Sequence, residues 1–351
     1  MKICILSYNH SPYFGGIETY SKFLYEFLNT SEFKFDFVSG KIIKYKTIRI
    51  LEVILIFYKL IILKNKYEIV HLTNLNLWPV LLVSKFTQNT KFVVNLHGLE
   101  LVYGKRKTFT SKLYNFLIPY KLINNNKNIF FICNSKETFN LAEDKFKKEQ
   151  LKFIPMGIEK INSSVIKKNI ELNQFFFIGR IVKRKGLSWF CENVLNHFQD
   201  TKLYFAGPIV DKNEFYKIKN SKQTEYLGII DEKTKNKYIS ESFLTIVPNL
   251  INLENYDFEG FGISFLEIIA NNGLPIITQT QGINTSSMNG RIGVTLKNND
   301  PSSWIEKITY LRKEGSVMRT KIILDSQKLI KENFIWKDIF NKTFTFYKNI
   351  L

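Results

Sequence analysis

The sequence has little of what staples or metallates a fold. Its 351 residues include three cysteines, Cys4, Cys133 and Cys191, far apart and without a Cys-x-x-Cys pair. That excludes a disulfide framework and a zinc-type spacing, and it fits a reducing compartment. The four histidines are equally scattered. Long apolar runs are also missing. Asn9, His10 and Pro12 cut short the run that starts at Met1, so it reads as a first strand rather than a signal peptide. The one membrane candidate, "IRILEVILIFYKLIILK" from Ile48 to Lys64, is broken by Glu52 and Lys59. It falls short of the roughly 20 apolar residues a spanning helix needs. It reads as a buried helix, or as one lying at an interface with snorkelling lysines. No Asp-x-Asp occurs, "DFE" from Asp257 to Glu259 being nearest, so no metal is expected.

Acid is in short supply too. The chain carries 50 Lys and Arg against 31 Asp and Glu, a formal charge of +19. Residues 1–160 hold 24 of the cations and 12 of the acids. A basic first half fits an anionic partner, such as a lipid surface, a phosphorylated substrate or nucleic acid, and it equally fits solvated surface lysine. No basic motif interleaved with aromatics at a nucleic-acid-binding spacing accompanies the charge, so nucleic acid is not the expected partner.

What is present is an alternation of short apolar runs with helical patterns, twice over. "KICILSY", "FDFVSG", "EIVHLT", "KFVVNLHG" and "IFFICNS" read as strands, and a helix from about Ile17 to Leu28 follows the first. The pattern restarts at "QFFFIGR" and runs through "KLYFAGP", "TEYLG", "LTIVPN" and "LPIITQT". Continuous apolar strands separated by helices predict α/β architecture with parallel sheets covered on both faces. The polar stretch Ile158 to Asn173 reads as a linker. The expected organisation is therefore two doubly wound domains, residues 1–158 and 159–333, with a ligand in the cleft they face, at the carboxyl ends of the strands.

Three constellations carry chemistry. Gly15 and Gly16 follow the first strand and open a helix, so backbone N–H groups there could approach a phosphate or sugar. A plain strand-to-helix turn looks the same. The spacing is not Gly-x-Gly-x-x-Gly, and no acidic residue stands about 20 positions on, which argues against an NAD-dependent oxidoreductase. In "FFIGRIVKRKGL", Gly179 and Arg180 follow the first strand of the second half, and Lys183, Arg184, Lys185 and Gly186 approach a helix. Four cations at a strand's carboxyl end suit a diphosphate: Arg180 by bidentate contact, Lys185 as a mobile point charge. A solvated basic turn is the bland alternative.

The third is "EGFGISFLE", Glu259 to Glu267, ahead of and within a helix expected from about Gly262 to Asn271. N–H groups of Phe261, Gly262 and Ile263 at a helix start suit a phosphate oxygen. A carboxylate such as Glu267 can accept from both hydroxyls of a ribose diol, and Glu259 from a sugar hydroxyl. Glu267 follows Ile263, Phe265 and Leu266 and precedes Ile268, Ile269 and Ala270. An apolar setting is expected, and a glutamate there needs a partner. Otherwise Glu259 merely complements the helix dipole and Glu267 faces water.

With these residues assembled, the chain resembles the GT-B glycosyltransferases of retaining family 4 (glycosyl transferases group 1), of the bacterial polysaccharide and O-antigen type. The resemblance rests on "GGIETY", "YEIVHLTN", "LHGLE", "CNSK", "FIPMGIE", "FIGRIVKRKG", "LYFAGP", "YLGII", "VPNL", "EGFGISFLEIIANNGLPII" and "FIWKDIFNKTFTFY". It implies two Rossmann-like domains: an acceptor domain, residues 1–158, and a nucleotide-sugar domain, residues 159–333, with the terminal helix 334–351 packed back on the first. Arg180 and Lys185 would bind the donor diphosphate, Glu259 the transferred sugar and Glu267 the ribose. Gly179, Gly260, Phe261, Gly262 and Ile263 would line the donor, with Gly16 facing them. On the residues alone a lone histidine after a strand reads as structural; the resemblance makes His97 the histidine beside the reacting sugar. Met156 and Glu159 in "FIPMGIE", and "TQTQGINTSS", depart from the family pattern.

The implied chemistry is transfer of a hexose from a UDP- or GDP-sugar, with retention, to a lipid-linked or oligosaccharide acceptor. No cofactor is implied. Stabilising the departing diphosphate is the main task, and same-face attack with the departing phosphate accepting the acceptor's proton is the simplest route. A sugar phosphorylase or nucleotide-sugar epimerase of the same fold, or a basic nucleic-acid-binding protein, are the alternatives. Lys41, Lys44, Lys46, Arg49, Lys59, Lys64 and Lys66 could meet anionic headgroups, which would place the protein peripherally on the cytoplasmic face of the membrane.

Overall fold

A computed structural model describes residues 1–7, 16–39, 66–87, 89–167, 170–250, 258–296 and 300–351. The membrane candidate from Ile48 to Lys64, most of the proposed headgroup lysines, Gly15 and Asp257 lie outside the described residues. Among the described residues no helix is long and apolar enough to cross a membrane. Contacts divide the chain into two units: Met1–Glu159 with Glu254–Phe261 and Trp336–Leu351, and Lys160–Leu253 with Gly262–Ile335.

In the first unit six strands, β1 (Lys2–Ser7), β2 (Lys34–Ser39), β3 (Ile69–Leu72), β4 (Lys91–Leu96), β5 (Ile129–Cys133) and β6 (Leu151–Phe153), pair in the order β2-β1-β3-β4-β5-β6. Every pairing is parallel. Residues of both faces of β1 and β3 are buried, as continuous Ile, Val and Leu runs require in a sheet covered on both sides. The order reverses at β1: β2 lies on one side and β3 on the other. Helix α1 (Gly16–Asn29) leaves that switch point.

The terminal helix, α12 (Trp336–Ile350), belongs to this unit. It lays Trp336, Phe340 and Phe344 against Tyr20 and Phe27 of α1, with ring centroids 5.3–5.8 Å apart. Its Tyr347 hydroxyl meets Nδ1 of His71, on β3, whose Nε2 lies 3.5 Å from the Tyr20 hydroxyl. Burial, reinforced by nearby His97 and opposed by Asn95, pushes His71 down to about 3. Near pH 6.5 the unfolded chain begins to bind a proton that the folded chain refuses, so stability falls as the pH drops below that value. The slope is about 1.4 kcal/mol per pH unit, or roughly 2 kcal/mol between pH 6.5 and 5. Urea unfolding across that window should show this loss in the wild type and a flattened profile in His71→Gln. Parallel profiles would assign the acid sensitivity elsewhere.

In the second unit β7 (Gln174–Ile178), β8 (Lys202–Ala206), β9 (Thr224–Tyr226), β10 (Leu244–Val247), β11 (Pro275–Thr278) and β12 (Val294–Leu296) form another six-stranded parallel sheet, ordered β12-β11-β10-β7-β8-β9. The core packs Phe175, Phe177, Phe190, Phe205, Phe243 and Trp304. Here the order reverses at β7, between β8 and β10. Two sequence expectations need correcting. β6 and β12 were not foreseen, whereas the equally short β9 was, from "TEYLG". The stretch read as a linker, Ile158 to Asn173, instead packs largely on the second unit. Ile166 joins its core, Asn162 donates to the Ala270 carbonyl at 2.8 Å, and Asn272 donates to the Ser164 carbonyl at 3.0 Å.

Candidate functional site

In the second unit the informative edge is the carboxyl edge of the sheet, where parallel topology gathers the segments that leave β7, β8 and β10. Gly179 N donates to the Ala206 carbonyl at 3.0 Å, tying the end of β7 to β8 and leaving Arg180 exposed just beyond. The basic residues Lys183–Lys185 form one 3-10 turn. Gly186 closes it at φ 70°, a left-handed conformation that costs glycine nothing. A Cβ on Gly186 would sit 1.8 Å from the Pro248 carbonyl oxygen. Leu250 N donates to the Arg184 carbonyl at 2.8 Å. The cationic turn after β7 is thus pinned to the backbone after β10, at the switch point of the sheet. That is where a doubly wound sheet offers a ligand crevice.

The helix after β10 is α9 (Ile263–Ala270), two elements after α8 (Glu232–Glu241) in the chain. Its N-cap is Gly262, left-handed at φ 73°, which has no side chain to satisfy the first N–H groups. A Cβ there would strike Ile283 Cδ1 at 2.2 Å. An uncapped helix start with its positive dipole end is suited to an anion. Glu267 is partly buried in the second turn, and burial holds its carboxyl above the usual range. Lys235 on α8, whose side chain is 17% exposed, opposes that shift, and Glu232 adds to it. The structure therefore gathers Gly179, Arg180, Lys185, Gly262, Ile263 and Glu267 in one unit.

The remaining candidates lie in the first unit. His97 follows β4 and is buried. Its Nε2 donates to the Thr73 carbonyl at 2.9 Å, and its Nδ1 stands 3.5 Å from Asn134 Nδ2. That pattern favours the tautomer with the proton on Nε2 and fixes the ring. The Glu100 carboxylate accepts from the His97 backbone N–H at 2.6 Å. Residues 258–261 pack against this segment: a Cβ on Gly260 would lie 2.0 Å from the His97 carbonyl oxygen, and the Phe258 ring covers Gly98. So Glu259, Gly260 and Phe261, expected in the donor domain, group with His97. Gly16 opens α1, and among the described residues a Cβ there would meet Met156 Cε at 3.8 Å, an ordinary contact.

Sequence reasoning missed Lys235, Thr73 and Asn134 as partners of the named residues. "CNSK" flagged the neighbourhood of Asn134. Nothing marked Lys235, one of several lysines on a polar helix. Among the described residues no group of three His, Cys, Asp or Glu side chains is placed to hold a metal.

Residues 159–328, most of the second unit, match the family model described as glycosyl transferases group 1. An uncharacterized glycosyltransferase of Methanocaldococcus jannaschii is 23% identical over 246 residues, 70% of this chain. The match spans 64% of that relative, less than two thirds of its length. The sucrose-phosphate synthase of Thermosynechococcus elongatus is similar in structure, with a TM-score of 0.77 at 15% identity over 99% of this chain and 98% of that one. The Anabaena protein HepE, solved in complex with UDP, gives 0.74 at 14% identity over the whole of both chains. Such likenesses establish the fold: two Rossmann-like parallel-sheet domains of GT-B type.

Proposed function

We propose that this chain is a glycosyltransferase that moves a hexose from a UDP- or GDP-sugar to an acceptor hydroxyl, with retention and without a metal. Its acceptor is a lipid-linked glycan of surface polysaccharide, met at the cytoplasmic membrane face. The observation that carries the reading is the pinned Lys183–Lys185 turn at the β7/β10 switch point, on the same sheet edge as the uncapped start of α9. Cations and helix N–H groups on one edge form a receptor for a diphosphate. Glu267, one turn into α9, supplies two acceptor oxygens for a ribose diol, and Lys235 offsets its charge. Stabilising the charge that grows on the departing diphosphate is the main catalytic task, and Arg180 and Lys185 are the residues for it. HepE is a structural relative solved with UDP, which supports a nucleotide donor here. Glu259, beside His97, is assigned to the transferred sugar.

The test is thermal unfolding of wild type and Glu267→Gln with UDP, GDP, ADP and their sugar conjugates. A ligand at 100 times its dissociation constant adds about 2.7 kcal/mol, a shift of several degrees. One nucleotide series should stabilise the wild type and leave the variant unmoved. The ligand-free variant should melt higher. The folded state holds the Glu267 proton more tightly than the unfolded chain, so above the ordinary carboxylate range its ionisation costs stability, and Gln removes that cost. No response in the wild type to any member of the panel overturns the proposal.

A further inference from the structure

Helix α3 (Phe109–Leu117), in the first unit, is built inside out. Phe109, Leu113, Phe116 and Leu117 are 80%, 43%, 84% and 52% exposed, while Ser111 is fully buried. At about 100° per residue the four apolar side chains fall within an arc of roughly 100°, a single stripe facing water. An ordinary surface helix turns that stripe to the core. The charge around it is mainly positive, with Glu100 near Tyr114 and Asp144 near Lys145 as the acids at its margin. Between Glu100 and Glu137 the sequence has seven Lys and Arg and no Asp or Glu. Lys105, Lys107 and Lys112 are exposed at the start of the helix and just before it. Lys145 belongs to the same neighbourhood: its ammonium sits 4.5 Å over the Tyr120 ring, close enough to Lys105 to feel its charge.

We propose that α3 is a membrane-docking helix, its Phe109, Leu113, Phe116 and Leu117 stripe seated in the headgroup–acyl boundary of an anionic bilayer and its lysines on the lipid phosphates. An apolar stripe flanked by exposed Lys105, Lys107 and Lys112 matches that surface on both counts: apolar burial supplies the seating, and basic residues add attraction that salt weakens. A second copy of the chain would have to bring the same positive frame against this one, which charge repulsion opposes. The inference rests on the proposed function for its purpose, delivery of the enzyme to a lipid-linked acceptor, and on the geometry of α3 for its evidence.

The experiment is sedimentation of the full chain with vesicles of phosphatidylglycerol and phosphatidylethanolamine, and with phosphatidylcholine vesicles alone. The wild type should partition to the anionic vesicles and be released by high salt. The pair Phe109→Ser and Phe116→Ser should lower that partition at least tenfold with an unchanged melting temperature, since both side chains are exposed. Lys105→Glu with Lys107→Glu and Lys112→Glu should abolish the preference for anionic lipid. Unchanged vesicle binding in the serine pair, or none in the wild type, overturns the proposal. So does a dimer of the wild type that the serine pair dissociates while vesicle binding persists, which would assign the stripe to a second copy. Nucleotide-induced stabilisation, measured on the same samples, separates the two readings: a response without vesicle binding sinks the docking surface alone, and vesicle binding without a response sinks the transferase reading alone.

Discussion

Lys185→Ala should lower kcat/KM for sugar transfer by about 10²–10³-fold, and Arg180→Ala by a similar factor. Removing one preorganised donor to developing negative charge typically costs that much. The effect is expected chiefly in kcat. The diphosphate is already anionic in the bound donor, and it gains charge as the glycosidic bond breaks, so a cation aimed at it holds the transition state more tightly than the ground state. The turn that carries Lys185 cannot drift to compensate, because Gly186 is wedged against the Pro248 carbonyl and Arg184 is tied to Leu250. Lys321→Ala, at an exposed position of the helix Pro301–Asn333, removes the same unit of charge and should leave kcat/KM within twofold. Equal losses in all three variants would trace the effect to the overall positive field rather than to placed contacts. A loss confined to KM would assign both cations to uniform donor binding. The double variant should lose less than the product of the single losses, since the proposal sets both residues on the same phosphates.

Much of this edge was legible in the sequence, for a physical reason. β1, β3, β7 and β10 are buried on both faces, so their apolar runs are unbroken and the topology follows from their alternation with helices. β6 and β12 are terminal strands of their sheets. Lys152 is exposed and Thr295 half-buried, so neither strand carries an unbroken apolar run. The cationic turn and the "EGFG" stretch were visible because their chemistry is local. What pins them is not local: the Pro248 carbonyl lies 62 positions from Gly186, and Ile283 sits 21 positions beyond Gly262. The partners of His97 and Glu267 were hidden for the same reason. The linker reading failed because polarity along Ile158 to Asn173 says nothing of Ile166, whose burial is decided by the other side of the contact.

Arg319→Met should destabilise the protein by about 3–5 kcal/mol, and the sequence gives no hint of it, because "VMRTKIIL" reads as an ordinary charged stretch of helix. Arg319, on α11 (Pro301–Asn333), has no exposed surface. Its Nε donates to the Phe243 carbonyl at 3.0 Å, and its Nη2 to those of Ser242 and Asn272 at 3.1 and 3.0 Å. These carbonyls lie just past the carboxyl ends of α8 and α9, where helix dipoles favour a cation. Burial lowers its pKa only to about 10, so the guanidinium stays charged at neutral pH. Methionine fills comparable volume yet leaves three buried carbonyls unpaired, each costing about 1–3 kcal/mol. Lysine should recover part of the loss, since an ammonium donates three hydrogen bonds but lacks the planar fork. Urea midpoints for wild type, Arg319→Met and Arg319→Lys should fall in that order of stability, wild type first, lysine between, methionine last. The consequence reaches the residues proposed to hold the donor. Arg319 clamps α8 to α9 at the ends remote from the ligand edge, and those two helices carry Lys235 and Glu267. Well below its midpoint, Arg319→Met should therefore bind the stabilising nucleotide more weakly, while Arg319→Lys binds nearly as the wild type. A methionine variant as stable as the wild type would mean that the freed carbonyls find other donors, and the clamp would carry no weight.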